Sequence, residues 1–137
     1  MFVIDAKKTI HITRGDHATF TVSANNGEDE NGNAIPYTFK VNDVVRFKVF
    51  KARSCEDVVL QKDVTITEES EFATIVITKD DTAFEPIISK TSTYWYEVEV
   101  NPDTYPQTII GCDLDGEKLF IIYPEGGNKQ WYTTLTN

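Results

Sequence analysis

With 13 basic against 22 acidic side chains in 137 residues, 13 − 22 = −9, the chain lacks the basic footprint that nucleic acid or an anionic membrane rewards, and neither is an expected partner. Its 40% hydrophobic and 12% aromatic content exceeds what a disordered chain carries and suits one domain with a single core. Two cysteines, Cys55 and Cys112, stand 112 − 55 = 57 positions apart, too isolated from other ligands for a metal site, and are expected as free thiols.

Phe2-Val3-Ile4 is the only apolar run before Asp5, so the N-terminus reads as neither a signal peptide nor a membrane span, and synthesis in the cytosol is expected. Thr9–Thr13 alternates, Arg14-Gly15-Asp16 turns, and Ala18–Ser23 alternates again with Ala18, Phe20 and Val22 on one face, giving strand, tight turn, strand. Arg14-Gly15-Asp16 is also the tripeptide read by integrins, yet Gly-Asp between two strands is ordinary turn chemistry. Asn25–Asn33 is a polar excursion with two Asn-Gly steps, read as a surface loop or hairpin tip. Asp29, Asn31 and Asn33 are spaced like the first ligands of a calcium loop, but no glutamate closes the set and Gly32 is out of place.

Val44–Lys51 follows, with Val45, Phe47 and Val49 on one face. Val58–Ile66 reads as a strand bent near Gln61-Lys62, and Phe72–Thr78 as one with Ala73, Ile75 and Ile77 facing inward. Lys79–Ile88 puts acidic residues ahead of a short apolar run with Pro86 inside it, which predicts one short helical crossing at the end of a sandwich. Thr93–Val100 is the strongest strand: Tyr94, Tyr96, Val98 and Val100 point one way, Trp95, Glu97 and Glu99 the other. Val44–Lys51 is its expected neighbour, and Tyr94 falls near the corner where sandwich folds place a tyrosine. Gln107–Cys112, a turn at Asp113–Gly116, and Lys118–Tyr123 predict a hairpin. Residues 124–137 form a tail whose Trp131 and Tyr132 suit an added edge strand or a subunit contact.

Chemistry is sparse. Glu97 and Glu99 on one strand face lie roughly 7 Å apart, yet a glycosidase opposes two carboxylates across a cleft. Trp95 beside them could stack on a sugar ring or be covered by packing. His11 and His17 flank the first turn and with Asp16 could form a metal or pH site, but exposed strand histidines are usually just that, and no metal site is expected. No nucleophile has a histidine in a recognisable arrangement and no glycine loop cradles phosphate, so neither catalysis nor a cofactor is expected.

The run of landmarks Ile12-Thr13-Arg14-Gly15-Asp16 into Phe20-Thr21-Val22, then Val45-Arg46-Phe47-Lys48-Val49, Ile75-Val76-Ile77-Thr78-Lys79-Asp80-Asp81-Thr82 and Tyr94-Trp95-Tyr96-Glu97-Val98 resembles the immunoglobulin-like N-terminal domain of the baseplate upper proteins of tailed phages infecting Gram-positive bacteria, and related prophage structural proteins. The resemblance spans about Thr9 to Tyr123. It implies an all-β, immunoglobulin-like antiparallel β-sandwich of about seven to nine strands, a single domain over 1–137 with its core at about 9–123. It also implies a non-enzymatic assembly role in a virion, with other phage structural proteins as partners, homo-oligomerisation, and no catalytic residue to carry over. Thr91-Ser92-Thr93 stands where the family places a glycine, and the family's long helical or fibre-like continuation is missing, which points to a small accessory or adaptor subunit. The alternative is a carbohydrate-binding module that presents Trp95, Tyr96 or Trp131 to a surface glycan.

Overall fold

The computed structural model describes residues 1–54, 56–84 and 90–125. Among them are eleven strands: β1 (Phe2–Ile4), β2 (Ile10–Thr13), β3 (Ala18–Val22), β4 (Asn25–Glu28), β5 (Ala34–Pro36), β6 (Val44–Phe50), β7 (Val58–Thr65), β8 (Ala73–Ile77), β9 (Ser92–Val100), β10 (Gln107–Ile110) and β11 (Leu119–Tyr123). The fold is all-β, with mixed sheets. Seven strands form the larger sheet in the order β1-β2-β11-β9-β6-β7, and β10 also pairs with β9. Two smaller pairs, β3-β8 and β4-β5, complete the architecture.

Period-2 patterning explains the layering. Val45, Phe47 and Val49 of β6, Tyr94, Tyr96, Val98 and Val100 of β9, and Phe120 and Ile122 of β11 all bury their side chains in one cluster, which Ala18, Phe20 and Val22 of β3 and Ala73, Ile75 and Ile77 of β8 also enter. The ring of Phe47 lies 5.5 Å from Phe20 across the gap between sheets, 5.5 Å from Tyr96 and 6.0 Å from Phe120. Each such side chain taken fully out of water stabilises the fold by about 1.5–3 kcal/mol. As its alternation predicts, β9 pairs antiparallel with β6, from Val45↔Val100 to Phe50↔Trp95.

Several expectations are corrected. The larger sheet is not purely antiparallel, because β11 runs parallel to β2, with Ile121 opposite His11. The cause lies in connectivity: β2 and β3 do not pair as a hairpin, and the Arg14–Asp16 turn carries the chain from one sheet to the other. Gly15 adopts φ +85° there, a conformation costly for any residue with a Cβ, and its N–H donates to Thr82 Oγ1 at 2.7 Å. The later hairpin is also absent, since β10 and β11 lie end to end along one edge of β9, against Val98–Val100 and Ser92–Trp95 respectively. Nine residues of β9 offer both short strands more ladder than they could offer each other.

Among the described residues no helical crossing is seen after β8. Overlapping tight turns stand there instead, with Asp81 N–H donating to Thr78 O at 3.0 Å and Ala83 N–H to Asp80 O at 3.2 Å. The Asp81 carboxylate accepts the Thr78 amide at 2.8 Å and Lys62 Nζ at 2.9 Å, side-chain bonding that competes with helix. Phe84 then packs edge-on against Tyr94 with centroids 5.2 Å apart; the remainder of the crossing lies outside the described residues. In β7 the register shift falls between Val49↔Leu60 and Phe50↔Val58, making Val59 the extra residue of a bulge rather than Gln61.

Candidate functional site

The face of the larger sheet turned away from the core carries Arg46 and Lys48 from β6 and Trp95, Glu97 and Glu99 from β9, placed side by side by the Lys48↔Glu97 and Arg46↔Glu99 register. Arg46 grips Asp63 on β7 with two parallel bonds, Nε at 2.8 Å and Nη2 at 2.9 Å, and reaches Asp103 at 3.1 Å. This fork holds the Asp63 carboxyl below its ordinary range, first through the Arg46 hydrogen bond. Lys48 Nζ lies 2.9 Å from Glu99 and 3.4 Å from Glu97. Burial works against the Lys48 ammonium, but Glu99 and then Glu97 outweigh it and raise its pKa. Glu97 is pushed up by burial and then by the neighbouring Glu99 charge, with Lys48 only partly offsetting them. The two glutamates therefore share one lysine on a single face and do not oppose each other across a cleft.

Next to this ladder the 111–118 loop folds over β9. Gly111 sits close enough that a Cβ there would meet Thr108 Cγ2 at 2.9 Å and Glu97 Cβ at 3.8 Å. The loop is tied down by Lys118, 4% exposed, whose ammonium donates to Asp113 Oδ1 at 2.9 Å and Gly116 O at 3.0 Å. Between loop and sheet lies a hollow of about 240 Å³ lined by Arg53, Trp95, Glu97, Cys112, Glu117 and Lys118, with Tyr96 below. Trp95 is half-buried; its Nε1–H donates to Glu117, and Arg53 pairs with the other oxygen of that carboxylate. Phe50, 2% exposed, faces Trp95 in register and lies under Lys48, 5.6 Å from ring centroid to ammonium. The hollow thus presents an indole, two carboxylates, a guanidinium and the exposed Cys112 thiol.

Of the residues expected to make contacts, Trp95 lines this hollow, whereas Trp131 and Tyr132 lie outside the described residues, as does Cys55. The structure separates His11, His17 and Asp16. His11 Nε2–H donates to Asp5 Oδ2 at 2.9 Å while its Nδ1 meets the Tyr123 hydroxyl at 2.8 Å; Asp16 pairs with the N-terminal amine, and His17 is exposed. Asp29 caps its own turn, its Oδ1 accepting the Asn31 and Asn33 amides at 2.9 Å each. Among the described residues no group of three or more metal-ligating side chains converges. Arg53, Cys112, Glu117 and Lys118 escaped the sequence reading because they gather only once strand register is known; Phe50, aligned with Trp95, was the one available signal. Set against known proteins, the chain matches no family model, no curated protein and no solved structure.

Proposed function

We propose that this chain is a non-enzymatic structural module of a phage or prophage tail or baseplate, an immunoglobulin-like β-sandwich that works through protein–protein contact. The observation that carries the reading is strand order. The path β11-β9-β6-β7, faced by the pair β3-β8, follows the G-F-C-C′ over B-E arrangement of variable-type immunoglobulin domains, in the same chain order. A protruding arm supports the contact role: β4 and β5 pair only with each other among the described residues, and every residue of both is exposed. Such an arm contributes little to its own core and is suited to reach a second copy or another virion subunit.

Light scattering on the full chain and on a variant with residues 26–35 replaced by a two-residue Asn-Gly turn tests self-assembly. A defined oligomer that becomes a monomer in the trimmed variant supports the reading; a monomer in both at about 100 µM counts against it.

A second reading, a carbohydrate-binding module, rests on the hollow at Trp95, where an indole edge lies beside Glu97, Glu117 and Arg53. Glycan-array binding abolished by Trp95→Ala, with the oligomeric mass unchanged, would favour it over assembly.

A further inference from the structure

Both Asn-Gly steps of the chain, Asn26-Gly27 and Asn31-Gly32, fall on the β4–β5 arm. All four residues are exposed, and each glycine has a positive φ, +79° at Gly27 and +81° at Gly32. An asparagine followed by glycine is prone to attack itself, because no side chain shields the glycine nitrogen from the asparagine amide carbon. Ring closure asks one thing of the fold: the peptide between the two residues must rotate until that nitrogen faces the side-chain Cγ.

The two steps differ in their freedom to rotate. Around Asn31 the chain is cross-tied. Gly32 N–H donates to Asp29 O at 3.0 Å, the Asn31 and Asn33 amides both donate to Asp29 Oδ1 at 2.9 Å, and Asp29 N–H donates back to Asn33 O at 2.8 Å. The Asn33 amide holds the Asp29 carboxyl below its ordinary value, so this acceptor stays charged at neutral pH. Around Asn26 the ladder lapses. Asn25 pairs with Pro36 and Glu28 with Ala34, which sets Asn26 and Gly27 together against Ile35, the two-to-one count of a bulge. Pro36, at one flank, brings no N–H to the ladder.

We propose that Asn26 is a self-modification site that deamidates through a cyclic imide, while Asn31 is held back by its turn. Gly27 N attacks Asn26 Cγ; the new N–C bond closes the ring, and the side-chain nitrogen leaves as ammonia, taking the Gly27 N–H proton. Water then opens the ring. Cleavage at Cγ leaves aspartate in a normal chain, whereas cleavage at the main-chain carbonyl leaves isoaspartate, with the backbone rerouted through Cγ. Either product replaces a neutral amide by a carboxylate, −9 − 1 = −10 overall, on an arm that already carries Glu28, Asp29 and Glu30. Isoaspartate also lengthens β4 by one backbone carbon and disturbs its register with β5. Added like charge and a disturbed register both act against contact through the arm. That last consequence rests on the assembly reading above; the chemistry at Asn26 does not.

The test incubates the full chain at about pH 8 and about 37 °C, digests it at glutamate, and follows the peptides containing Asn26 and Asn31 by mass spectrometry, with isoaspartyl methyltransferase labelling to separate the products. A synthetic peptide of residues 22–30 serves as the clock. Asn26 is expected to convert at a rate close to the peptide's and about tenfold or more ahead of Asn31, the factor that one hydrogen bond to a charged group imposes. Asp29→Ala, which unties the turn, is expected to speed Asn31 by a similar factor. Conversion at Asn31 equal to or ahead of that at Asn26 overturns the proposal, as does an intact Asn26 when the peptide is half converted. Light scattering on aged samples separates this site from the assembly reading. An oligomer lost from aged wild type but kept by aged Asn26→Gln extends the site's role to assembly; a monomer at every age refutes arm-mediated assembly and leaves the Asn26 result intact.

Discussion

Phe47 lies where the two sheets meet, and its replacement gives the most decisive test of the layering. It is 0% exposed, and its ring touches Phe20, Tyr96 and Phe120 at 5.5, 5.5 and 6.0 Å. Phe47→Ala removes the buried ring and leaves a cavity, a loss of about 3–5 kcal/mol. With a urea slope of about 1–3 kcal/mol per molar, the unfolding midpoint should fall by roughly 2 M. That measurement alone shows only that Phe47 is buried. Phe20→Leu and Phe47→Leu, alone and together, isolate one contact between sheets, because this edge-on pair spans the gap from β3 to β6. The pair should show a coupling of about 1 kcal/mol, within the range for aromatic contacts beyond area burial. Equilibrium urea unfolding followed by circular dichroism, with slopes required to agree, reads it directly. A coupling below about 0.3 kcal/mol would refute the seating of β3-β8 on β6.

Arg46→Met should destabilise by about 1–2 kcal/mol at pH 7, since the fork to Asp63 is charge-assisted but its carboxylate is partly screened by solvent. Asp63 is depressed in the folded state, so its contribution is present above about pH 4 and lost as pH falls through the folded pKa; thermal melts from pH 7 to 2.5 should show the two proteins converging. Glu97 is raised, so its favourable share is present at low pH and lost as pH rises through its folded pKa. Glu97→Gln should therefore gain thermal stability over the wild type as pH goes from 4 to 7, and a constant difference would contradict that sign. Gly111→Ala drives a methyl against Thr108 Cγ2, which has 2.9 Å to offer; a loss of about 1–2 kcal/mol, relieved by adding Thr108→Ser, is expected in chemical unfolding. Tyr96→Phe deletes the hydroxyl that donates to Lys8 O at 2.5 Å and should cost about 1 kcal/mol; burial and then Asp5 push that phenol up to about 12, so the loss should not vary between pH 5 and 9.

Alternation carried the strands that span the core. Thr93–Val100, Val44–Lys51 and Phe72–Thr78 were legible because one face of each is buried and the other wet, and a one-residue slip would have exposed every apolar side chain. Partnership was less legible. The Asp113–Gly116 turn is genuine, with Asp113 and Gly116 bridged, but a turn is local and does not state which edge the following strand will join. The Asp80-Asp81 step looked like the opening of a helix, whereas Asp81 spends its carboxylate on Thr78 and Lys62. Trp95 was visible as an aromatic on a polar face; the groups around it come from the 51–54 and 111–118 segments, which only the folded register brings alongside β9.

The parallel pairing of β2 with β11 also sets the order in which the molecule can be made. Phe120 sits opposite Ile10, a separation of 120 − 10 = 110 residues, and β11 is the sole strand between β2 and β9 in the sheet. Closing a loop of that size costs about 4 kcal/mol in chain entropy before the contact repays it, which places the protein among slow, millisecond-to-second folders. On a ribosome, β1 and β2 emerge ahead of the other strands yet have no place in the larger sheet until Leu119–Tyr123 have cleared the exit tunnel. Strands made early are thus among the last to be folded, and a nascent chain stalled before residue 119 holds β1 and β2 unpaired with the rest of the sheet.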